Sequence, residues 1–293
     1  MRRQLSLSLI EHARNDPTIF FITGDLGFQV FDGFKHEFPE RYLNVGISEA
    51  GMVSIGAGLA SEGFTPILYS IASFLLPKTY EQVKLLSIYN ENRIILIGAG
   101  GGLAYSMSGP SHHSLDDLSL ALLIPNLNVY APSGPDSLKS VLGQSLKSTT
   151  SSYIQIGKFG EPNYPKESGL IDSEIGLITT GVIANEVYGL SVELLKKGYD
   201  LHLLIVESIR PFNQENFFKF ISNKKKLIVI EESWDKLSLY SIVLEMIHKK
   251  KLLVDLFRIG PDHEIMSENL ERSSRIFNFG LNAEELIKII GSE

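Results

Sequence analysis

Short apolar runs of strand length recur along the first half of the chain, at Ile19–Thr23, Pro66–Ile71, Ile94–Ile97, Leu127–Ala131 and Tyr153–Ile156. Patterns of helical length lie between several of them. Thr79-Tyr80-Glu81-Gln82 has the form of a capping box and predicts a helix running to about Asn90. Gly134-Pro135-Asp136 predicts another, with Pro in the first turn and an acid near the positive end of the dipole. Strands alternating with helices predict a mostly parallel sheet covered on both faces. Around Gly160–Ser173 the chain turns polar, with Pro162, Pro165, Lys166 and Glu167, which predicts a linker. A second alternation follows. Its strands are Gly176–Thr180, Leu201–Val206, Leu227–Glu231 and Leu252–Arg258; its helices run from Ala184 to Lys197, from about Lys236 to Lys249, and over Ala283–Ile290. Lys196-Lys197-Gly198 closes the first of these helices with cations and a C-cap glycine. The expectation is an α/β protein of two domains, 1–165 and 166–293, each a mostly parallel sheet flanked by helices.

Composition narrows the function classes. The chain has 293 residues, a formal net charge of −7, 44% hydrophobic residues and no cysteine. That apolar fraction is normal for a globular protein. Without Cys there is no disulfide framework, no thiolate nucleophile and no Cys-based zinc site. Lys and Arg are spread thinly, so no basic stripe points to nucleic acid. No apolar run reaches membrane-spanning length, and the start carries Glu11 where a signal peptide needs an apolar core. The default expectation is a soluble cytoplasmic protein.

Four segments could carry chemistry. In Asn44–Met52 a strand-like entry runs into a helix with Glu49 in its first turn. An isolated Glu there is simply an acid favoured by the dipole. The helix continues through Gly51, Ser54, Gly56, Ala57, Gly58, Ala60 and Ser61, small residues that cost propensity and suit close packing of another backbone, as at a subunit contact. A carboxyl at the mouth of such a contact is partly desolvated, which suits proton exchange with a bound base. Ser70–Phe74 ends a strand before a helix, on the edge where α/β ligand sites form; Phe74 is either core or a flat face for an aromatic ligand. Gly98–Gly102 follows a strand, but Leu103 breaks the dinucleotide fingerprint, so the glycines instead let a backbone turn tightly or approach a ligand. Ser108–Asp117 holds His112 and His113 before two acids. Neighbouring histidines point apart on extended backbone, so a loop His for substrate hydrogen bonding or proton transfer fits better than a metal.

In this order the four segments resemble the C-terminal two-thirds of transketolase and its thiamine-diphosphate relatives, above all the separately encoded C-terminal subunits of split transketolases. Asn44–Met52 is similar to the family's N-V-G-I-x-E-x-x-M segment, Ser70–Phe74 with Tyr80-Glu81-Gln82 to its cofactor-stacking segment, and Gly109–His112 to its G-P-T-H loop. Thr179-Thr180-Gly181, Ile209–Phe212 and Ile230-Glu231-Glu232 fall where the smaller C-terminal domain has T-G, I-K-P and V-E-E. The resemblance implies that Glu49 hydrogen-bonds N1′ of the cofactor's aminopyrimidine, favouring the imino tautomer that takes the proton from C2 of the thiazolium. It implies that Phe74 packs on the pyrimidine, with Leu75 as the other register, and that Ser73 and Asp25 border the cofactor. It gives His112 and His113 to the substrate channel and places Lys158 and Arg2 or Arg3 near phosphate-binding positions.

Three departures accompany the resemblance. Gly24-Asp25-Leu26-Gly27 is not the G-D-G motif that holds pyrophosphate and Mg²⁺, so a partner chain is expected to carry that domain. Gly98–Gly102 replaces a T-H-D-S stretch whose His touches substrate phosphate, which points to a less usual sugar. Ser233–Leu237 replaces G-G-L-G in a domain expected to serve dimerisation and support. The implied activity is transfer of a two-carbon ketol unit from a ketose, phosphorylated or otherwise activated, to an aldose, in a dimer of heterodimers. A 2-oxoacid dehydrogenase β subunit has the same two domains but a different His loop; a non-catalytic scaffold subunit is the third possibility.

Overall fold

The computed structural model describes residues 1–89, 93–158, 161–234, 237–262 and 270–292. Six strands of the first half are β1 (Ile19–Thr23), β2 (Tyr42–Asn44), β3 (Thr65–Ile71), β4 (Ile95–Ala99), β5 (Asn128–Tyr130) and β6 (Ser152–Ile156). The second half supplies β7 (Glu167–Gly169), β8 (Ile175–Thr179), β9 (His202–Ile205), β10 (Ser208–Arg210), β11 (Lys226–Ile230) and β12 (Asp255–Ile259). The larger sheet runs β10-β5-β6-β4-β3-β1-β2 and the smaller β12-β11-β8-β9-β7. All pairs are parallel except β10 on β5 and β7 on β9. Buried on both faces, the strands read as continuous apolar runs, as parallel sheets do. Phe21, Ile67, Ile95 and Ile154 fill the core on one face of the larger sheet, and Ile22, Leu68, Leu96 and Tyr153 the core on the other.

Several expectations need correction. Thr79 caps nothing: the helix starts at Ala72, directly off β3, and the Thr79 hydroxyl donates to the Leu75 carbonyl at 2.6 Å. The apolar run through Leu76 nucleates that helix, and Pro77 inside it removes only the bond that would reach the Ser73 carbonyl. The helix's expected end near Asn90 lies outside the described residues. The polar stretch expected as a linker contains β7; its polarity is that of an exposed edge strand, which needs charge to avoid pairing with other chains. Ile209-Arg210-Pro211-Phe212, expected in the smaller domain, returns to the larger sheet through β10. There the Arg210 guanidinium donates to the carbonyls of Ala121, Leu122, Ile124 and Leu127, closing the C-terminal end of the Asp117–Leu123 helix. Lys236 lies outside the described residues, and the helix expected from it is described from Leu239 to Lys250. Leu252 and Leu253, expected to open β12, are exposed, because apolar residues form a strand only where a partner edge receives them.

The Arg2–Asn15 helix was not anticipated, although Leu5, Leu9 and Ala13 repeat at helical spacing and are buried. Gly198 has φ +89, as the expected C-cap requires. Among the described residues no helix is long and apolar enough to cross a membrane.

Candidate active site

β1, β3 and β4 end at one edge of the larger sheet, and the candidate residues gather there. After β2 the chain turns at Gly46, φ +72, and enters the Glu49–Ser61 helix. Glu49 is its first residue and is only 5% exposed. The Ser70 hydroxyl donates to Oε1 at 3.3 Å, and the Lys78 ammonium donates to Oε2 at 3.2 Å. Burying a carboxylate costs free energy; the helix dipole and the ammonium offset that cost. Lys78 also stands 4.4 Å from the Phe74 ring centroid. It follows Phe74 by four residues and so shares its helix face.

Phe74 is half-buried and meets His112 edge-on at 4.9 Å, whereas Leu75 is wholly within the core. The Ser73 hydroxyl beside them is buried without a hydrogen-bond partner. His112 shares a 3.0 Å hydrogen bond between Nδ1 and the Ser111 hydroxyl. Tyr105 follows, 6.1 Å from His112, with Lys158 Nζ 4.2 Å from its ring centroid. Burial pushes the phenols of Tyr105 and Tyr69 up, and the nearby Arg2 guanidinium pulls both back. Arg3 is exposed. Glu49, Lys78, Phe74, His112, Tyr105 and Lys158 thus form one continuous row of contacts.

Two candidates stand apart from that row. The backbone N–H of Asp25 donates to Asn44 Oδ1 at 3.0 Å, and Asp25 accepts from the Asn44 amide at 3.3 Å. His113 turns from His112 and places Nε2 3.2 Å from the Ser106 carbonyl; burial lowers its pKa and favours the neutral ring. Neither acid after the histidines serves a metal. Asp117 is buried under Tyr153 and Gln155, and among the described residues no three His, Asp or Glu converge into a ligand set.

The glycine run was expected to admit a backbone or a ligand; the structure spends it on internal packing. A Cβ on Gly101 would lie 2.1 Å from Gln155, and one on Gly102 2.6 Å from Glu232. Glu232 accepts from the Leu103 backbone N–H and from both Arg272 nitrogens at 2.8 Å, while Arg272 also reaches Glu186. Ser106 donates to the Leu270 carbonyl at 2.7 Å, and Ser233 and Trp234 donate to that of Leu115. The smaller domain therefore does more than support: it braces the loop bearing Tyr105 and His112 from behind. Lys78 was detectable in the sequence by its spacing from Phe74. Tyr105 and the Glu232–Arg272 pair carry no local signal.

Comparison with known proteins agrees with this geometry. The family described as transketolase, pyrimidine-binding domain, matches residues 1–158, and that described as transketolase, C-terminal domain, matches residues 171–283. One of the two subunits of apulose-4-phosphate transketolase from Actinobacillus succinogenes is 29% identical over 87% of this chain and 86% of its own. The 6-deoxy-6-sulfo-D-fructose transketolase subunit of Clostridium sp. (strain MSTE9) is 26% identical over 71% of this chain and 68% of its own. A solved split-gene transketolase, described as an inactive β4 tetramer, superposes with a TM-score of 0.83 at 19% identity over 99% of this chain and 96% of its own.

Proposed function

The chain belongs to the transketolase family, whose pyrimidine-binding and C-terminal domains it carries, and from that premise we propose that it is one subunit of a split transketolase. With a partner chain it moves a two-carbon ketol unit from an activated ketose to an aldose. The pyrimidine-binding domain implies use of thiamine diphosphate. The residues present suit that group: a buried carboxylate, a half-exposed aromatic ring and an unpartnered buried hydroxyl border one cleft. The pyrophosphate and Mg²⁺ are assigned to the partner. The domain boundary is placed at 165/166.

When bound, thiamine diphosphate supplies a thiazolium carbon as the nucleophile toward the ketose carbonyl. Glu49 holds the proton shared with the pyrimidine ring nitrogen, at the carboxylate that Ser70 and Lys78 fix in place. Phe74 gives the ring an apolar face. His112, with Nδ1 engaged by Ser111, offers Nε2 to a sugar oxygen. Ser73 and Asp25 border the cofactor, and His113, Lys158 and Arg2 the sugar.

The observation that carries this reading is Glu49 itself: an acid buried at a helix N-terminus, with an ammonium and a hydroxyl on its oxygens, one contact from an accessible ring. The test is Glu49→Gln in the complex reconstituted with the partner subunit. Ketol transfer is expected to fall by about 10²–10⁴-fold, the range of a lost acid–base group. Unchanged turnover removes the assigned role. The chain alone is expected to be inactive, as the split-gene β4 tetramer of the same fold is described. Decarboxylation of a 2-oxoacid without ketol transfer would instead make it an oxoacid dehydrogenase subunit.

A further inference from the structure

Tyr105 occupies a place that the glycine run creates. Gly100 has φ +76, and a Cβ there would lie 2.1 Å from the Tyr105 ring. No side chain other than hydrogen leaves the ring in position, and few others adopt that backbone. One flank of the ring faces His112 at 6.1 Å; Lys158 Nζ stands 4.2 Å from its centroid; Arg2 lies within electrostatic reach of its hydroxyl. The cleft is thus asymmetric. At one end the Glu49 carboxylate is neutralised by Lys78. At the other, Arg2 and Lys158 are gathered around one phenol.

We propose that Tyr105 is a specificity-determining residue: its ring, lodged over Gly100, closes the end of the cleft remote from Glu49 and steers Lys158 to hold a tetrahedral oxyanion on the sugar's far end. The inference rests on the ketol-transfer reading and deepens it by naming what the donor carries. A cation over an aromatic face is held in direction as well as attracted, so the ring fixes where the ammonium meets the oxyanion. A phosphate ester and a sulfonate share this chemistry.

The experiment uses the complex with the partner subunit and three ketose donors of equal length, one ending in phosphate, one in sulfonate and one in hydroxyl. Tyr105→Ala is expected to lower the kcat/KM ratio of a charged donor to the neutral donor about tenfold, chiefly through KM, and Tyr105→Phe to keep most of that ratio. The donor with the larger wild-type ratio identifies the anion. Equal loss for all three donors would show a purely structural role and overturn the proposal. Should Tyr105→Ala not fold, Tyr105→Leu, which keeps bulk without a π face, replaces it. Inorganic phosphate and sulfate titrated into the wild-type complex are expected to shift the Tyr105 ring signal in NMR, and Lys158→Met to abolish the shift. An unmoved signal overturns the proposal even if transfer is intact. Anion binding in a complex without ketol transfer would instead overturn the activity and leave the oxyanion site standing.

Discussion

Asp117 is fully buried, and its carboxylate accepts from the Tyr153 hydroxyl at 2.5 Å and from the Gln155 amide at 2.9 Å. Burial pushes its pKa up to about 6, against the hydrogen bonds that pull it down. The folded protein therefore holds this proton more tightly than the unfolded chain. Its stabilising contribution is complete below about pH 4 and is lost as pH rises to about 6, on the order of 3 kcal/mol. Asp117→Asn keeps a neutral acceptor for Tyr153, and the Gln155 amide can turn to match it. Chemical denaturation from pH 4 to 7 should show the stability of the wild type falling relative to Asp117→Asn. A pH-independent difference would mean that Asp117 is ionised throughout. Asp117 and its neighbour were legible in the sequence only as two acids after two histidines. What makes one of them a packing residue is strand β6, which supplies Tyr153 and Gln155 from more than thirty positions away.

At the scale of elements, the adjacent acids Glu231 and Glu232 illustrate a division of labour at the end of β11. Glu231 stays within its own domain, accepting from Ser238, Arg258 and the Leu239 backbone N–H at the start of the Leu239–Lys250 helix. Glu232 faces the other way and joins Arg272 to the loop that begins at Gly102. Burial pushes both carboxyls up while the arginines pull them down. Arg272→Ala leaves Glu232 buried without its counter-ion, which costs about 3–5 kcal/mol. That Glu then favours protonation more strongly in the folded state, so the loss is expected to be larger at pH 8 than at pH 5. Urea denaturation at the two pH values checks this; equal losses would show that Glu232 is not desolvated. The motif that singles out this segment says only that two acids stand there. The alternation of side chains at a strand end sends them to opposite sides.

For the whole molecule, the edge that bears Glu49 also carries exposed apolar side chains. Ile47 is 82% exposed and Phe28 69% exposed, both in loops at the strand ends. Together with the small residues of the Glu49 helix they suit a partner surface. Ile47→Asp is expected to leave the chain's own stability within about 0.5 kcal/mol, as exposed substitutions do, and to abolish co-purification with the partner subunit. Retained co-purification would place that contact elsewhere.

The alternation of apolar runs and helical patterns by itself determined the two α/β layers, because burial on both faces of a parallel sheet leaves its mark within each short segment. The order of the four segments determined the family, and Glu49, Phe74 and His112 were assigned to the cofactor and the sugar from those segments alone. Only the tertiary structure decided which side chains meet. Lys78 reaches Glu49 across 29 positions, Tyr105 settles over Gly100, and Glu232 braces a loop more than a hundred residues earlier. Such pairings depend on strand register and helix packing across the fold, and local sequence preference carries no record of them.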